Sequence, residues 1–297
     1  MVAIRTVQES GQDSLLDFLE LVDGVFLKEK ARSGSLLERY PQLFHEDNHR
    51  NLYAAWQGRR LIGTTAIKEF NGNLAGRLVH GAMVGLVGVH PDFRRMGIGR
   101  KLIASVSNSL AARTLDFSVL WTTSPTFYSP IGWSSGDCGA YGTLSNSQQP
   151  GYSLTASRLS ESVQEIEQVR RVWQTMCLSR SAIDYDVVPT GVDCVYCLRV
   201  GRSSFHSAYT IFGCKGDTGV VYELVGNPDY FEELWNETTG RFAKIYVNDW
   251  EGSLSYDWLL RNTPLTWKRQ SLAMWMAFDE SWKSNQQAIC IPYFDRI

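Results

Sequence analysis

The chain has 297 residues, 29 of them basic and 31 acidic, for a formal net charge of −2. That near-balance gives no bulk attraction to nucleic acid or to an anionic membrane, and the length is generous for one compact domain and comfortable for two. The six cysteines are scattered, which fits reduced thiols in a cytoplasm better than a disulfide framework. The opening MVAIRTVQESGQD lacks the apolar core of a signal peptide, and no apolar run approaches membrane-spanning length.

Residues 2–7 read as a short strand, and 14–26 and 35–44 as two helices. Then comes His45-Glu46-Asp47-Asn48-His49, a literal H-E-x-x-H. Zinc chemistry needs that spacing on a regular helix, where both histidines share one face. Here Pro41 lies upstream, and Asp47, Asn48 and Arg50 favour a polar loop, so the segment reads as a solvated connection. Residues 52–56, 61–70 and 78–89 read as three strands, joined by Gln57-Gly58-Arg59-Arg60 and Asn71-Gly72-Asn73, both turn signals. Gly85 and Gly88 interrupt the third, as glycines do at a bulge or a close backbone approach.

The apolar run 83–89 ends at His90-Pro91-Asp92, because proline drives its predecessor out of the helical region. Arg94-Arg95-Met96-Gly97-Ile98-Gly99-Arg100 follows. A helix then buries Ile98, Leu102, Ile103, Val106 and Leu110 at helical spacing. The first amides of a helix have no partner inside it and carry partial positive charge. Gly97 and Gly99 leave that backbone bare, and Arg94, Arg95 and Arg100 add full charges, so the expected ligand is a phosphate or pyrophosphate. A dinucleotide fingerprint would need a third glycine where Leu102 stands, and a P-loop would need Ser or Thr after Lys101. The remaining pattern, R-x-x-G-x-G, is met by Arg94, Gly97 and Gly99.

Residues 115–121 read as another strand, followed by Ser124-Pro125-Thr126-Phe127-Tyr128-Ser129-Pro130-Ile131-Gly132-Trp133. The polar run from Ser145 to Gly151 reads as a linker. Beyond it, Leu159, Val163, Ile166, Val169, Trp173 and Met176 mark an amphipathic helix. Strands near 194–200, 208–212 and 220–225 come next, then a helix at 230–235, a strand at 242–247, a helix over 255–261 and a strand at 272–278. This order repeats that of the first half. Cys194-Val195-Tyr196-Cys197 is a single C-x-x-C on a strand, where residues three apart face opposite sides, which argues against a metal or redox pair. Seven tryptophans of the second half (Trp173, Trp235, Trp250, Trp258, Trp267, Trp275 and Trp282) have no basic background, and they read as core and interface.

The strand–R-x-x-G-x-G–helix order resembles the pyrophosphate loop of the GNAT acetyltransferases, and Phe127-Tyr128 with Gly132-Trp133 resembles that superfamily's F-Y-x-x-x-G-F/Y segment. Tyr40-Pro41-Gln42-Leu43-Phe44, the Val89-His90-Pro91 pivot and the tyrosine segment are closest in style to the enhanced-intracellular-survival (Eis-like) branch. The likeness is sharp over 1–145 and topological beyond. The length leaves no room for the third, sterol-carrier-like domain that this branch usually carries. The resemblance implies an α/β fold of two GNAT-like domains, 1–145 and 152–297, each a mixed, mostly antiparallel sheet flanked by helices. It implies an N-acetyltransferase that moves an acetyl group from acetyl-CoA to a primary amine in a ternary complex. Backbone at Val87, Gly88 and Val89 would hold the thioester and pantetheine arm. The 94–100 loop, with Met96 and Ile98, would hold the pyrophosphate, Thr123 and Ser124 would touch pantetheine or acceptor, and Tyr128 would protonate the leaving thiolate. For the base, the strand 83–89 has no glutamate; His80, Glu69, a water chain and the carboxylate of Ile297, used this way in the Eis-like branch, stay open. The second half has no phosphate loop, since Gly226-Asn227-Pro228-Asp229 stands there and Asp229 would repel phosphate. The acceptor is a small-molecule or peptide amine, and a homo-oligomer stays open. The other reading is a non-catalytic CoA-binding or partner-binding module.

Overall fold

Local signals set the first elements of the fold. In the computed structural model, which describes residues 2–11, 14–74, 76–145, 153–282 and 290–297, strand β1 (Val2–Thr6) runs into helix α1 (Val7–Ser10). Thr6 caps α1 in a reciprocal capping box with Glu9. Helix α2 (Ser14–Phe26) buries Phe18 and Val22. The segment expected as one helix over 35–44 is two, α3 (Leu36–Arg39) and α4 (Pro41–Phe44), because Pro41 is accommodated only in a first turn. His45-Glu46-Asp47-Asn48-His49 enters a 3-10 turn over Glu46–Asn51, where His45 Nδ1 accepts the Asp47 amide and His49 Nε2 lies 3.1 Å from the Phe44 carbonyl.

The remaining strands of the first half are β2 (Leu52–Gln57), β3 (Arg60–Leu74), β4 (Arg77–Val89), β5 (Phe117–Trp121), β6 (Ser134–Ser135) and β7 (Gly139–Ser145). Helix α5 (Ile98–Ala111) lies between β4 and β5, and the short α6 (Pro125–Tyr128) follows β5. The linker expected at 145–151 falls, past Ser145, outside the described residues. The second half holds β8 (Ser157–Arg158), α7 (Val163–Trp173), β9 (Met176–Leu178), β10 (Cys194–Ser203), β11 (His206–Lys215), β12 (Thr218–Gly226), α8 (Phe231–Thr239), β13 (Lys244–Trp250), α9 (Leu254–Asn262), β14 (Thr266–Arg269) and β15 (Ala273–Ala277). Met176, expected on the helix, instead opens β9, which pairs with the end of β3.

Two sheets result. The first runs β1-β2-β3-β4-β5-β15-β6 with β9 added to β3, and the second runs β14-β7-β13-β12-β11-β10-β8. Every pairing is antiparallel except β4 with β5 and β12 with β13, the same place in each half. This mixed architecture is the one expected from the sequence. The halves also trade strands. β7, from the first half, is an interior strand between β14 and β13, while β15, from the end of the chain, lies between β5 and β6. Each sheet is therefore completed by the other half of the chain. One hydrophobic cluster spans both halves and joins Phe18, Val22 and Phe44 to Ile166, Tyr209 and Phe294. Lys68 and Asp184 bridge the halves with an ion pair of 2.5 Å.

On one face of the first sheet, α5 buries Ile98, Leu102, Ile103, Val106 and Leu110, all at most 4% exposed. Each such side chain contributes about 1.5–3 kcal/mol by leaving water. That packing fixes the start of α5, and with it the loop the helix follows.

Candidate active site

The opening of the site is a parting of strands. β4 pairs with β5 only at Gly81, Ala82 and Met83, yet continues to Val89, so its later residues have no strand beside them on that edge. Leu86 sits at φ 52°, a left-handed conformation that costs a non-glycine residue roughly 1–2 kcal/mol. The register against β3 shifts at the same place, Thr64 facing Gly88 and Ala66 facing Gly85. This is a bulge, which bends a strand and re-aims its groups. Thr65 and Thr64 hydroxyls donate to the Gly85 and Leu86 carbonyls at 3.1 and 3.2 Å, and so hold the bulge in place.

At the end of β4 the chain forms a concave backbone corner. Arg95 and Gly97 both have positive φ, 63° and 77°, and Gly97 caps α5 without a side-chain hydrogen bond. Two left-handed residues so close together turn the chain into a corner at the start of α5, where the unpaired first amides of the helix favour an anion. A cavity of about 710 Å³ lies here, lined by Val87, Val89, Arg94, Arg95, Gly97, Ile98, Gly99, Arg100, Ser124 and Tyr128 among others. At Gly99 a side chain would meet the Phe127 ring at 3.2 Å, so the glycine keeps this corner open. Arg94 differs from its expected setting: its guanidinium is paired with Glu29 at 2.6 and 2.8 Å. The charge facing the cavity therefore comes from the backbone corner and from Arg95 and Arg100, both exposed.

Tyr128 stands between two cavities. Its ring is edge-on to Phe127, centroids 4.8 Å apart, and burial pushes its hydroxyl above the ordinary value of 10. It thus stays protonated at neutral pH. The second cavity, about 380 Å³, opens on the other side of Tyr128 and Val87, which line both. Its walls come from α2, the loop after it and α4, from Trp121 and Thr190, and from Tyr293, Arg296 and Ile297. Gly85 is what admits Ile297: a side chain at 85 would meet the Ile297 Cγ1, O and C atoms at 3.1–3.3 Å.

Other expected site residues lie elsewhere. Gly88 is buried against Thr64 and Phe26 rather than facing either cavity, Met96 is 59% exposed, and Thr122 rather than Thr123 lines the first cavity. Of the base candidates, Glu69 pairs with Arg113, and His80 faces Glu69 and the Thr114 carbonyl, outside both cavities. Nothing in the local sequence of Tyr293, Arg296, Thr190 or Arg32 distinguishes them, and only the fold brings them to this cavity.

The second half repeats the strand parting but fills it. β12 pairs with β13 through Val221 and runs on to Gly226. There Glu223 is ion-paired with Arg180, which also bonds Asp295 at 2.6 Å, all three side chains at most 3% exposed. Tyr293 stacks on Tyr222 with centroids 5.7 Å apart. The turn after β12 is closed by Asn227 accepting the Asp229 amide, and the first turn of α8 carries Glu232 and Glu233. An anion finds no welcome there.

Residues 4–136 match the family model described as an acetyltransferase (GNAT) domain. Among solved structures, it is similar to a conserved protein of unknown function from Enterococcus faecalis (TM-score 0.72, 16% identity, covering 94% of this chain and 73% of that one). It is also similar to a GCN5-related N-acetyltransferase from Anabaena variabilis (0.68, 14%, 94% and 73%) and to Eis1 from Mycobacterium abscessus (0.62, 14%, 93% and 74%). No curated protein matches the chain by sequence. The two sheets fit tandem domains, and the match to an acetyltransferase domain supports acyl transfer in general terms. Among the described residues no helix is long and apolar enough to cross a membrane.

Proposed function

We propose that the protein is an N-acetyltransferase that moves acetyl from acetyl-CoA to a primary amine by direct attack in a ternary complex. The observation that carries this reading is that Val87 and Tyr128 line both cavities, so donor and acceptor meet at one backbone edge and one hydroxyl. The corner at Arg95–Gly99, with Arg100, fits a diphosphate, and the unpaired edge of β4 fits a pantetheine arm. Acetyl-CoA supplies a thioester; backbone around Val87 and Val89 polarises its carbonyl. The protonated Tyr128 hydroxyl donates its proton to the departing thiolate. An oxygen of Ile297 beside Gly85 accepts a hydrogen bond from the incoming neutral amine; as the C–N bond forms and the C–S bond breaks, the proton the nitrogen loses passes to water, and water returns one to Tyr128. The second half serves as a wall of the acceptor cavity rather than a second donor site.

One observation favours a non-catalytic acyl-CoA-binding module: no Asp, Glu or His side chain is among the described residues lining the acceptor cavity. Thiol release from acetyl-CoA across an amine panel, with calorimetry of acetyl-CoA binding, separates the two. Turnover with any amine supports the transferase; tight binding without turnover supports the module.

A further inference from the structure

The acceptor cavity has a charge pattern that limits what enters it. Three cationic side chains line it, Lys30, Arg32 and Arg296, and its described lining holds no acidic side chain. The main-chain end of Ile297 adds at most one negative charge, so the walls remain net positive.

The three cations are not equivalent. Arg296 is committed: Nε donates to the Ile291 carbonyl at 3.0 Å, Nη2 lies 3.2 Å from Cys290 Sγ, and Asp137 stands 3.9 Å behind it. Its guanidinium is held against the rings of Trp121 and Tyr293, at 4.9 and 5.2 Å. Lys30 is exposed, with its ammonium 5.6 Å from the Phe26 ring. Arg32 is half-buried, and its side chain has no ion pair or hydrogen bond among the described residues. Of the acids near it in sequence, Glu29 pairs with Arg94, Asp23 accepts the Leu36 amide at 2.8 Å and Glu38 lies beside Gly34, and none of the three lines the cavity. Arg32 is nonetheless well placed, because its amide donates to the Leu27 carbonyl at 2.9 Å and Ala31 before it takes a left-handed turn at φ 51°.

An unpaired guanidinium in the lining of a small cavity is suited to a carboxylate or phosphate, which it can grip with two parallel hydrogen bonds. The same charge repels a polycation. We propose that the acceptor is a compact amine bearing its own anionic group, a carboxylate or phosphate, gripped by Arg32 with the amine directed toward Val87 and Tyr128. Polyamines and amino sugars with several ammonium groups are disfavoured. This rests on the transferase reading above.

The test compares acceptors matched in size: an α-amino acid, its carboxamide, an aminoalkyl phosphate and a short diamine, each with acetyl-CoA and the full chain. The acid or the phosphate should exceed the carboxamide and the diamine at least tenfold in kcat/KM, and which of the two leads identifies the anion. Arg32→Gln should collapse that ratio toward one, with the KM for acetyl-CoA within twofold; Arg32→Lys should restore part of it. Equal use of the carboxamide or diamine by the unmodified chain would overturn the proposal while leaving the transferase intact. So would an Arg32→Gln variant whose main defect is a raised KM for acetyl-CoA, which would make Arg32 a donor-phosphate ligand. Bound acetyl-CoA with no turnover of any amine would remove the transferase reading, and this proposal with it. The acceptor ratios need no variant, so a misfolded Arg32→Gln protein would not shelter the idea.

Discussion

Replacing Tyr128 by phenylalanine removes one hydroxyl and little else. That hydroxyl has no hydrogen-bond partner among the described residues, and the ring's contact with Phe127, 4.8 Å between centroids, survives the change. Stability should therefore move by no more than about 0.5 kcal/mol. Catalysis should suffer far more, because a positioned acid contributes about 10²–10⁴ in rate. That is about 3–5 kcal/mol of barrier. The loss should fall on kcat, with the calorimetric affinity for acetyl-CoA unchanged, since the diphosphate corner is built from other residues. Burial holds the hydroxyl above 10, so the parent enzyme's rate should show no fall attributable to this group between pH 6 and its ordinary value of 10. The assay is steady-state thiol release at saturating amine, run beside thermal unfolding. A kcat within twofold of the parent, in a folded variant, would remove Tyr128 from proton transfer.

Three further outcomes are expected. Gly99→Val places a side chain where Cβ is already 3.2 Å from Phe127 and 3.5 Å from Val89; calorimetry should show acetyl-CoA binding weakened at least tenfold, and unchanged affinity would argue for a different donor corner. Glu223→Ala strands the buried Arg180 with one partner instead of two; breaking such a pair costs about 3–5 kcal/mol, readable in denaturant titration, and a loss below 1 kcal/mol would count against it. Asp249 is held by burial at about 6 against an ordinary 3.8, so the unfolded chain sheds this proton first as pH rises. The unfolded state binds fewer protons across that window, and stability from this group falls by about 3 kcal/mol between roughly pH 4 and 6. Asp249→Asn should flatten that decline relative to the parent, and parallel curves would exclude it.

The parts of the site written in local sequence were readable. The break at Pro91, the glycines at 97 and 99 and the helical spacing from Ile98 to Leu110 locate the backbone corner, because each acts through its own conformational preference. The Phe127-Tyr128 pair was readable as a motif. What could not be read depends on partners far along the chain. Arg94 is charged in any reading, but only the folded chain shows Glu29 neutralising it. Leu86 carries no mark of a left-handed residue; the bulge is imposed by pairing with β3. Residues 272–278 have the pattern of a strand, and nothing in that pattern says which sheet they join. The acceptor cavity is hidden for the same reason, since its walls unite residue 32 with residues 190 and 293–297.

The exchange of β7 and β15 bears on how the protein is made. Domains emerging from a ribosome usually fold in order, amino-terminal part first. Here β5 has no neighbour on its far side until residue 277 has been synthesised, and the acceptor cavity lacks a wall until residue 297 has. A nascent or prematurely terminated chain would display an open sheet edge, a template for unwanted pairing. Closure of the first sheet thus waits for β15, and chaperone demand should be highest before that strand emerges.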